Sequence, residues 1–263
     1  MGAGRSSTLL IDPDLASLLE SSGLDSVEAF LDHEGGEFLR HVPAGDNVRL
    51  QLADGRTAFM KRFRYNRRKV ALSRLIRPHW QLPSGLKEWH RTHDLAQAGF
   101  PVPVPLAAGD ASRGAEHRSF YCCLALDGRR PADDALVEAG RPPAAAVRAF
   151  GELVGRLHRC GYQHRDLYLC HVFVDESWDT VLIDLQAMLK RRRLSMRRRV
   201  KDLAALSYSS LPTPLSRSDR MRFLLSYLGQ DRLDPAARLL IAAVERKTAL
   251  IQKSDARRAA RRG

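Results

Sequence analysis

The sequence lacks several features that would place the protein in other functional classes. None of its four cysteines belongs to a Cys-x-x-Cys pair, so we do not expect a structural zinc site. So few cysteines suit a reducing compartment. The sequence shows no signal peptide and no apolar run of the length that crosses a bilayer. We therefore expect a cytoplasmic protein.

Acidic residues are fewer than basic ones. The chain has 263 residues, with 43 Lys and Arg against 30 Asp and Glu, a formal net charge of +13 and a pI near 10.2. An excess of this size favours an anionic partner, although part of it can be solvated surface. Nucleotide phosphates, anionic lipid headgroups and phosphorylated glycans all fit. Nucleic acid is a less favoured partner, because the sequence shows no known nucleic-acid module and no basic patch interleaved with aromatic residues.

One stretch, residues 162 to 185, carries the strongest chemical signal. His164-Arg165-Asp166 follows a predicted helix, and two short apolar runs after it predict a hairpin that ends at Asp184. Because a hairpin brings its ends together, Asp166 and Asp184 should converge. A phosphoryl-transfer site needs two such carboxylates, one to accept the hydroxyl proton and one to hold Mg²⁺. A lone His-Arg-Asp is a weak motif and buried aspartates often cap turns, but the order of these elements favours a kinase.

Lys61 lies inside an apolar run of a predicted strand, which is an unusual place for a lysine. The functional interpretation is the strand lysine that holds nucleotide phosphates. The alternative is a lysine at a sheet edge whose amine reaches solvent. Glu88 falls in the first turn of a helix predicted over residues 86 to 98. Kinases pair such a glutamate with the strand lysine, but an acidic residue at a helix start can equally be a dipole effect.

The sequence has no complete Gly-x-Gly-x-x-Gly motif. Gly35 and Gly36 could bring backbone amides close to ATP phosphates, but an ordinary turn explains them equally well. The strand predicted over residues 119 to 126 should end at a linker between two lobes. Backbone groups from Leu124 to Leu126 could pair there with an adenine edge.

Three further segments have simple interpretations. The cation-rich stretch from Arg62 to Arg77 has a partly apolar face, and either an anionic membrane surface or a solvated connector explains it. Residues 1 to 32 are predicted to form a tail with one short helix, and residues 131 to 143 to be irregular. Helices are predicted at 144–159, 217–228 and 235–251.

With Lys61, Glu88, Asp166 and Asp184 in this order, the chain resembles a protein-kinase-like fold. More closely, it resembles the bacterial lipopolysaccharide kinase (Kdo/WaaP) family over roughly residues 34 to 228. The motifs that carry this resemblance are His164-Arg-Asp-Leu-Tyr-Leu-Cys-His171, Leu182-Ile-Asp-Leu-Gln186 and Arg199-Val-Lys-Asp-Leu-Ala-Ala-Leu206, with weaker matches at Gly36-Glu37, Phe59-Met-Lys61, Glu88-Trp89, Ala98-Gly-Phe-Pro101 and His117-Arg-Ser-Phe120.

The resemblance implies an α+β fold of the bilobal protein-kinase type. A small antiparallel-sheet lobe with one main helix would span residues 33–127, after an N-terminal extension at 1–32. A larger, mainly helical lobe would span 128–263 and end in a basic segment. The activity implied is ATP- and Mg²⁺-dependent phosphorylation of a heptose or Kdo hydroxyl of the lipopolysaccharide core, or of a similar anionic glycolipid, by a peripheral protein at the cytoplasmic face of the inner membrane.

The resemblance also implies roles for particular residues. Asp166 would be the catalytic base and Asp184 a metal ligand, while Lys61 would hold the phosphates with Glu88 as its partner. The loop containing His164 and Arg165 would be supported by a helix aspartate, which is Asp202.

Two positions depart from the protein-kinase pattern. His171 occupies the place of a metal-binding asparagine, although Mg²⁺ prefers oxygen ligands to imidazole. Either His171 orients the loop, or a second metal is held differently. Gln186 replaces the glycine of the metal-binding motif, so a mobile switch at that point is not expected.

The segment after Asp184 favours a sugar acceptor over a peptide. Asp202 follows only 18 residues later, and the Ala-Pro-Glu motif of a peptide-docking activation segment is absent. Arginine side chains suit the phosphates and carboxylates of core sugars. The arginines expected to bind the acceptor are Arg191, Arg192, Arg193, Arg197 and Arg198. A kinase of another small molecule or of a protein, and a catalytically impaired membrane-associated scaffold, remain the alternatives.

Overall fold

The structure is a computed structural model that describes residues 6–42, 45–66 and 84–261. The chain divides into two compact units, Met1–Asp127 and Gly128–Gly263, referred to below as the N-unit and the C-unit. Most of the predicted basic stretch from Arg62 to Arg77 lies outside the described residues. Within the described part of the chain, no helix has both the length and the apolar character needed to cross a membrane.

The N-unit is built on an antiparallel sheet in the order β1-β5-β6-β4-β3-β2. Its strands are β1 (Ser6–Ile11), β2 (Glu37–Val42), β3 (Gly45–Gln51), β4 (Thr57–Asn66), β5 (Pro105–Arg113) and β6 (Glu116–Leu124). The hairpin predicted at Asp54-Gly55 is confirmed as the β3–β4 connection. Because side chains alternate between the two faces of a strand, this sheet has two distinct packed faces.

One face of the sheet packs against α1 (Ala16–Ser21) and α2 (Val27–Leu31) through a core that includes Phe30, Met60 and Phe120. The expectation of an N-terminal tail at residues 1 to 32 is wrong for the described part of that segment. Strand β1 pairs with β5 along its whole length, and both short helices contribute buried side chains. The leucines of this segment, together with Phe30, supply the apolar surface that holds it to the sheet.

The opposite face packs against α3 (Gly85–Gln97) through Trp89, Tyr121 and neighbouring residues. Gly85 fixes where this helix begins. A Cβ atom at this position would lie 1.6 Å from the carbonyl oxygen of Phe120, so only glycine fits there. Its amide donates to the Ser119 hydroxyl at 2.9 Å. The register of α3 on the sheet is therefore set by backbone contact.

The C-unit is mainly helical. Its helices are α4 (Ala132–Ala139), α5 (Ala144–Arg159), α6 (Met196–Ser209), α7 (Arg217–Leu228) and α8 (Pro235–Ala259). The predictions for α5 and α7 are confirmed, and α8 continues beyond its predicted end. The prediction of irregular structure at residues 131–143 is wrong, because α4 forms there and buries Ala135 and Leu136.

Short strands position the loop predicted to be catalytic. The strands are β7 (Arg130–Pro131), β8 (Tyr162–Gln163), β9 (Val172–Val174), β10 (Thr180–Leu182) and β11 (Leu189–Lys190). The predicted hairpin is confirmed, since β9 pairs antiparallel with β10. Strand β11 pairs with β8 and brings the segment after Asp184 back beside the start of the loop.

Candidate active site

Lys61 and Glu88 form a nearly buried ion pair in the N-unit. The Lys61 Nζ lies 2.8 Å from Glu88 Oε1, with side-chain exposures of 12% and 3%. Lys61 points to the face of β4 that packs on α3, and Glu88 lies in the first turn of that helix. Strand β4 runs between β3 and β6, so the alternative of a lysine at a sheet edge is wrong. Both ends of the pair are placed by regular secondary structure.

One of the two glycines predicted to lie over phosphates, Gly36, has a structural reason to be glycine. Gly36 precedes β2 with a φ of +94°, and a Cβ atom there would lie 2.4 Å from the carbonyl oxygen of Arg49. This geometry favours the ordinary-turn interpretation of Gly35 and Gly36. Phosphate binding by these two glycines stays a prediction that nothing in the geometry supports.

The backbone donors predicted to meet adenine are partly engaged within the sheet. The Leu124 amide donates to the Val104 carbonyl at 2.9 Å, and the Ala125 amide donates to the Thr57 carbonyl at 2.9 Å. These two N–H groups are therefore already paired in this structure, and adenine binding by the carbonyl of Leu124 stays a prediction. Leu126 follows directly, and its part in nucleotide binding stays a prediction.

Asp202 supports the predicted catalytic loop of the C-unit. Its fully buried carboxylate accepts hydrogen bonds from the backbone amides of His164 at 2.7 Å and Arg165 at 3.0 Å. Arg165 has a φ of +74°, a conformation that residues with a Cβ atom adopt only at a cost in energy. Both bonds go to a carboxylate, so they are stronger than neutral ones and hold the loop in this shape.

A second layer of buried polar groups stands behind Asp202. His158 Nε2 lies 3.3 Å from its carboxylate, and His158 Nδ1 lies 2.9 Å from the hydroxyl of Tyr227. The Arg199 guanidinium donates to the same hydroxyl at 2.7 Å. Sequence reasoning missed His158 and Tyr227. One signal was present, since His158 follows Val154 by one turn on the apolar face of α5 and so had to be buried.

The two predicted carboxylate positions converge on one imidazole. The Nδ1 atom of His171 bonds the backbone carbonyl of Asp166 at 2.8 Å, and its Nε2 lies 3.5 Å from Asp184 Oδ2. Within the described residues the Asp166 carboxylate makes no side-chain hydrogen bond. Asp184 has a φ of +60°, and the Nε2–H of His164 donates to the carbonyl of the preceding Ile183 at 3.0 Å. His171 thus connects the Asp166 backbone to Asp184, while no described residue bonds the Asp166 carboxylate.

Each ring nitrogen of His171 faces an oxygen atom of a neighbouring functional residue. Burial by itself would lower the pKa of the imidazole, but hydrogen bonds to Cys170 and to the Asp166 carbonyl, with the charge of Asp184, raise that pKa to about 9. The engagement of both ring nitrogens suits a residue that holds the Asp166 backbone and the Asp184 carboxylate in place. Of the two functions left open for His171, the geometry favours orienting the loop.

Asp184 retains the chemistry that a divalent cation needs. Its Oδ1 accepts a hydrogen bond from Gln186 Nε2 at 3.1 Å, which orients the carboxylate. Among the described residues, no three His, Cys, Asp or Glu side chains are grouped so that they could hold a metal. Mg²⁺ commonly binds through one or two carboxylates together with substrate phosphates and water, and a single aspartate fits that pattern.

The five arginines expected to bind an acceptor divide into two groups. Arg198 donates to the Gln163 side chain at 3.0 Å, so its guanidinium is at least partly engaged in supporting the loop. The other four side chains are exposed, namely Arg191, Arg192, Arg193 and Arg197. The backbone amide of Arg191 bonds the Gly161 carbonyl at 2.8 Å, which places these cations near the start of the catalytic loop.

An apolar cavity of about 410 Å³ lies within the C-unit. All five of its helices contribute to the wall. Aliphatic and aromatic side chains predominate, among them Leu136, Val147, Phe150, Leu169, Leu206 and Phe223. Cavities with such walls favour hydrocarbon over water. Leu169 belongs to the loop that follows Asp166, so the cavity adjoins the back of the catalytic segment.

Comparisons with known proteins agree with this geometry. The family model described as the lipopolysaccharide kinase (Kdo/WaaP) family matches residues 47–227. The chain is 29% identical over 222 residues to the lipopolysaccharide core heptose(I) kinase WaaP of Pseudomonas aeruginosa, which covers 78% of this chain and 81% of that protein. It is 30% identical over 151 residues to the 3-deoxy-D-manno-octulosonic acid kinase of Xanthomonas euvesicatoria pv. vesicatoria, covering 57% and 56%.

Two solved structures share the fold. A structure of WaaP in complex with acyl carrier protein superposes with a TM-score of 0.66 at 27% identity, covering 92% of this chain and 98% of that one. The amicoumacin kinase hAmiN, in complex with AMP-PNP, Ca²⁺ and Ami, superposes with a TM-score of 0.55 at 14% identity over 82% of this chain and 80% of that one, which indicates the fold alone. The predicted α+β, protein-kinase-like fold is confirmed.

Proposed function

Because the chain belongs to the lipopolysaccharide kinase (Kdo/WaaP) family, we propose that it transfers the γ-phosphoryl group of ATP to a hydroxyl of a heptose or Kdo sugar. The acceptor is the lipopolysaccharide core or a similar anionic glycolipid. The observation that carries the proposal is the loop fixed by Asp202, in which Asp166 keeps a free carboxylate while His171 joins its backbone to Asp184.

Each functional group has one task in this proposal. Asp166 accepts the proton of the sugar hydroxyl, a contribution of typically ~10²–10⁴-fold to the rate. Lys61, held by Glu88, contacts the nucleotide phosphates and neutralises part of their charge. A divalent cation bound by Asp184, for which Mg²⁺ is the natural candidate, would supply further neutralisation of phosphate charge. His164, Arg165 and His171 keep the loop in position.

The acceptor class follows from the segment between Asp184 and Asp202. It is short and basic and leaves little room to dock a peptide. The exposed arginines at 191–193 and 197 suit the phosphates and carboxylates of a core glycan. A peripheral position at the cytoplasmic face of the inner membrane, where such acceptors are made, completes the proposal.

The decisive test replaces Asp166 by Asn. We expect turnover on purified core glycolipid to fall by about 10²–10⁴-fold, with the melting temperature and the affinity for ATP unchanged. The control is Asp231→Asn, which changes an exposed aspartate of the same unit and should leave turnover intact. Retained turnover in Asp166→Asn would remove this residue from the role of base.

Labelled ATP offered with separate lipid, sugar and protein fractions distinguishes the alternative kinase classes. Label in the protein fraction alone would contradict a glycan acceptor. Absence of Mg·ATP binding in calorimetry would contradict any kinase activity and leave the scaffold alternative.

We also propose an acyl carrier protein as a partner, because the similar WaaP was solved with one and this chain has an apolar cavity. An acyl carrier protein loaded with a fatty acyl chain should raise the melting temperature, and the unloaded form should not. Ala146 lines the cavity, so Ala146→Phe should reduce the effect by filling it. Equal stabilisation by the loaded and unloaded forms would contradict a role for the cavity.

A further inference from the structure

The outward face of α8 exposes two large apolar side chains. Leu239 is 68% exposed and Leu250 is 55% exposed. They are eleven residues apart, which at 3.6 residues per turn places them within about 20° of each other around the helix axis. Single exposed leucines are ordinary on protein surfaces, but two leucines on the same side of one helix begin to form an apolar stripe.

Cations share this line, and acids do not. Arg246, Lys253 and Arg257 fall on the same side of the helix as the two leucines, and all three are exposed. Helix α8 is described along its whole length, and its two acidic residues lie away from this side. Glu245 is exposed but borders the cavity of the C-unit, about 100° around the helix from Arg246. Asp255 accepts a hydrogen bond from the Tyr208 hydroxyl at 2.7 Å. The outward stripe therefore consists of Leu239, Ala242, Arg246, Leu250, Lys253 and Arg257.

We propose that this stripe of α8 docks the protein on an anionic bilayer, with Leu239 and Leu250 entering the boundary between headgroups and acyl chains. Arginine and lysine beside them reach lipid phosphates, an arrangement typical of helices that lie in a membrane interface. A solvated helix face would explain the cations but gives no reason for aligned leucines. A nucleic acid would use the cations and leave the leucines without a partner.

The location of the stripe gives the docking a purpose, which rests on the proposed function. Tyr208, which bonds Asp255 two residues before Arg257, precedes Ser209 at the end of α6. The Ser209 hydroxyl accepts a hydrogen bond from the Leu169 amide at 2.9 Å, three residues after Asp166. The C-terminal end of α8 thus adjoins the catalytic loop on the side opposite the stripe, so a docked stripe would hold that loop about one helix diameter, ~10–12 Å, from the surface that carries a glycolipid acceptor.

Sedimentation of the full chain with vesicles tests the proposal. Vesicles containing phosphatidylglycerol should bind the wild-type protein, and vesicles of phosphatidylcholine alone should not. Arg246→Gln/Lys253→Gln/Arg257→Gln should weaken binding about 100-fold, since each cation near an anionic surface contributes roughly a factor of five. Leu239→Gln/Leu250→Gln should weaken it about tenfold or more at unchanged charge.

The matched control is Val137→Gln on α4. Val137 is also an exposed apolar residue of the C-unit, at 72%, but it lies outside the stripe. The Val137→Gln variant should bind vesicles as the wild type does. If the leucine variant bound vesicles as well as the wild type, charge attraction alone would explain the binding, and the proposal would be overturned. Equal losses in Val137→Gln and the leucine variant would overturn it as well, because the stripe would then have no special role.

Vesicle binding requires no catalysis, so its outcome is independent of the kinase proposal. A core oligosaccharide freed of its lipid provides the second readout. The leucine variant should phosphorylate this soluble acceptor at the wild-type rate and the vesicle-bound glycolipid more slowly. Equal slowing on both acceptors would assign Leu239 and Leu250 to the catalytic fold and contradict membrane docking. Stripe-dependent vesicle binding without any phosphate transfer would leave the docking standing and the kinase function refuted.

Discussion

The two units hold their functional charges by different means. In the N-unit, Lys61 and Glu88 meet at 2.8 Å because a central strand and a packed helix place them there. In the C-unit, the loop around Asp166 has almost no regular structure, and buried Asp202 holds its backbone from a helix further along the chain. Regular secondary structure fixes the first site, and a polar network fixes the second.

This difference has an energetic side. Arg165 and Asp184 occupy left-handed backbone conformations, each of which costs of order 1–3 kcal/mol in a residue other than glycine. The ion pair of the N-unit carries no such backbone strain, because Lys61 lies in a regular strand and Glu88 in a regular helix. The C-unit loop therefore depends on contacts strong enough to offset this strain, and Asp202 provides the strongest of them.

The largest effect is expected from Asp202→Ala. Two backbone amides and His158 would lose a buried carboxylate, and uncompensated groups of this kind cost about 3–5 kcal/mol. Chemical denaturation should show this loss in the unfolding of the C-unit, with phosphate transfer abolished. Asp202→Asn keeps one acceptor oxygen and should lie between the wild type and Asp202→Ala. If Asp202→Ala unfolded with the same midpoint denaturant concentration as the wild type, the idea that a polar network holds the loop would be contradicted.

For the ion pair of the N-unit, the effects on stability and on phosphate transfer should be separable by mutation. Lys61→Met leaves the Glu88 charge buried without its cation and should destabilise the protein by about 1–3 kcal/mol. Adding Glu88→Gln removes that charge, so the double variant should recover most of the lost stability. Phosphate transfer should not recover, because the positive charge at position 61 is still missing. Denaturation and turnover measured on the same four proteins complete the cycle.

Two results would break this contrast between the units. If the double variant were as unstable as Lys61→Met, the lysine would matter for packing and not for charge. If the double variant regained turnover, Lys61 would not be the residue that contacts phosphate. Either outcome would contradict one of the two functions assigned to Lys61, the ion pair with Glu88 or the contact with phosphate.

The same contrast explains which features could be predicted from the sequence. The β9–β10 hairpin and the strand that carries Lys61 follow from local apolar patterns. The pairing with Glu88 came from a known motif order. Strand β1 was missed, because its partner β5 lies about 100 residues away and its own pattern is short.

The polar network was beyond local reasoning for a related reason. His158 and Tyr227 are 69 residues apart and meet only because α5 and α7 pack closely. A Cβ atom at Gly155 of α5 would lie 2.4 Å from the Tyr227 carbonyl oxygen, and this intimate contact carries no periodic signal in the sequence. Asp202 was expected to support the loop only through a resemblance to a family, and its hydrogen bonds to two amides became visible only in three dimensions.

The smallest expected effect is the contribution of His164, in the C-unit loop, to the dependence of stability on pH. Burial lowers the pKa of His164 below its usual value of 6.5, although the charge of Asp202 opposes this shift. The unfolded chain therefore takes up a proton below pH 6.5 that the folded chain resists, so the contribution of neutral His164 is present above pH 6.5 and is lost as the pH falls.

The melting temperature should drop more between pH 7.5 and pH 5.5 in the wild type than in His164→Asn, which does not titrate there. Histidines distant from His164 contribute equally to both proteins and cancel in the difference, whereas His171 interacts electrostatically with His164 and changes with it. Identical drops would mean that His164 binds its proton as easily when folded as when unfolded, and the loop would then be less enclosed than its hydrogen bond to the Ile183 carbonyl implies.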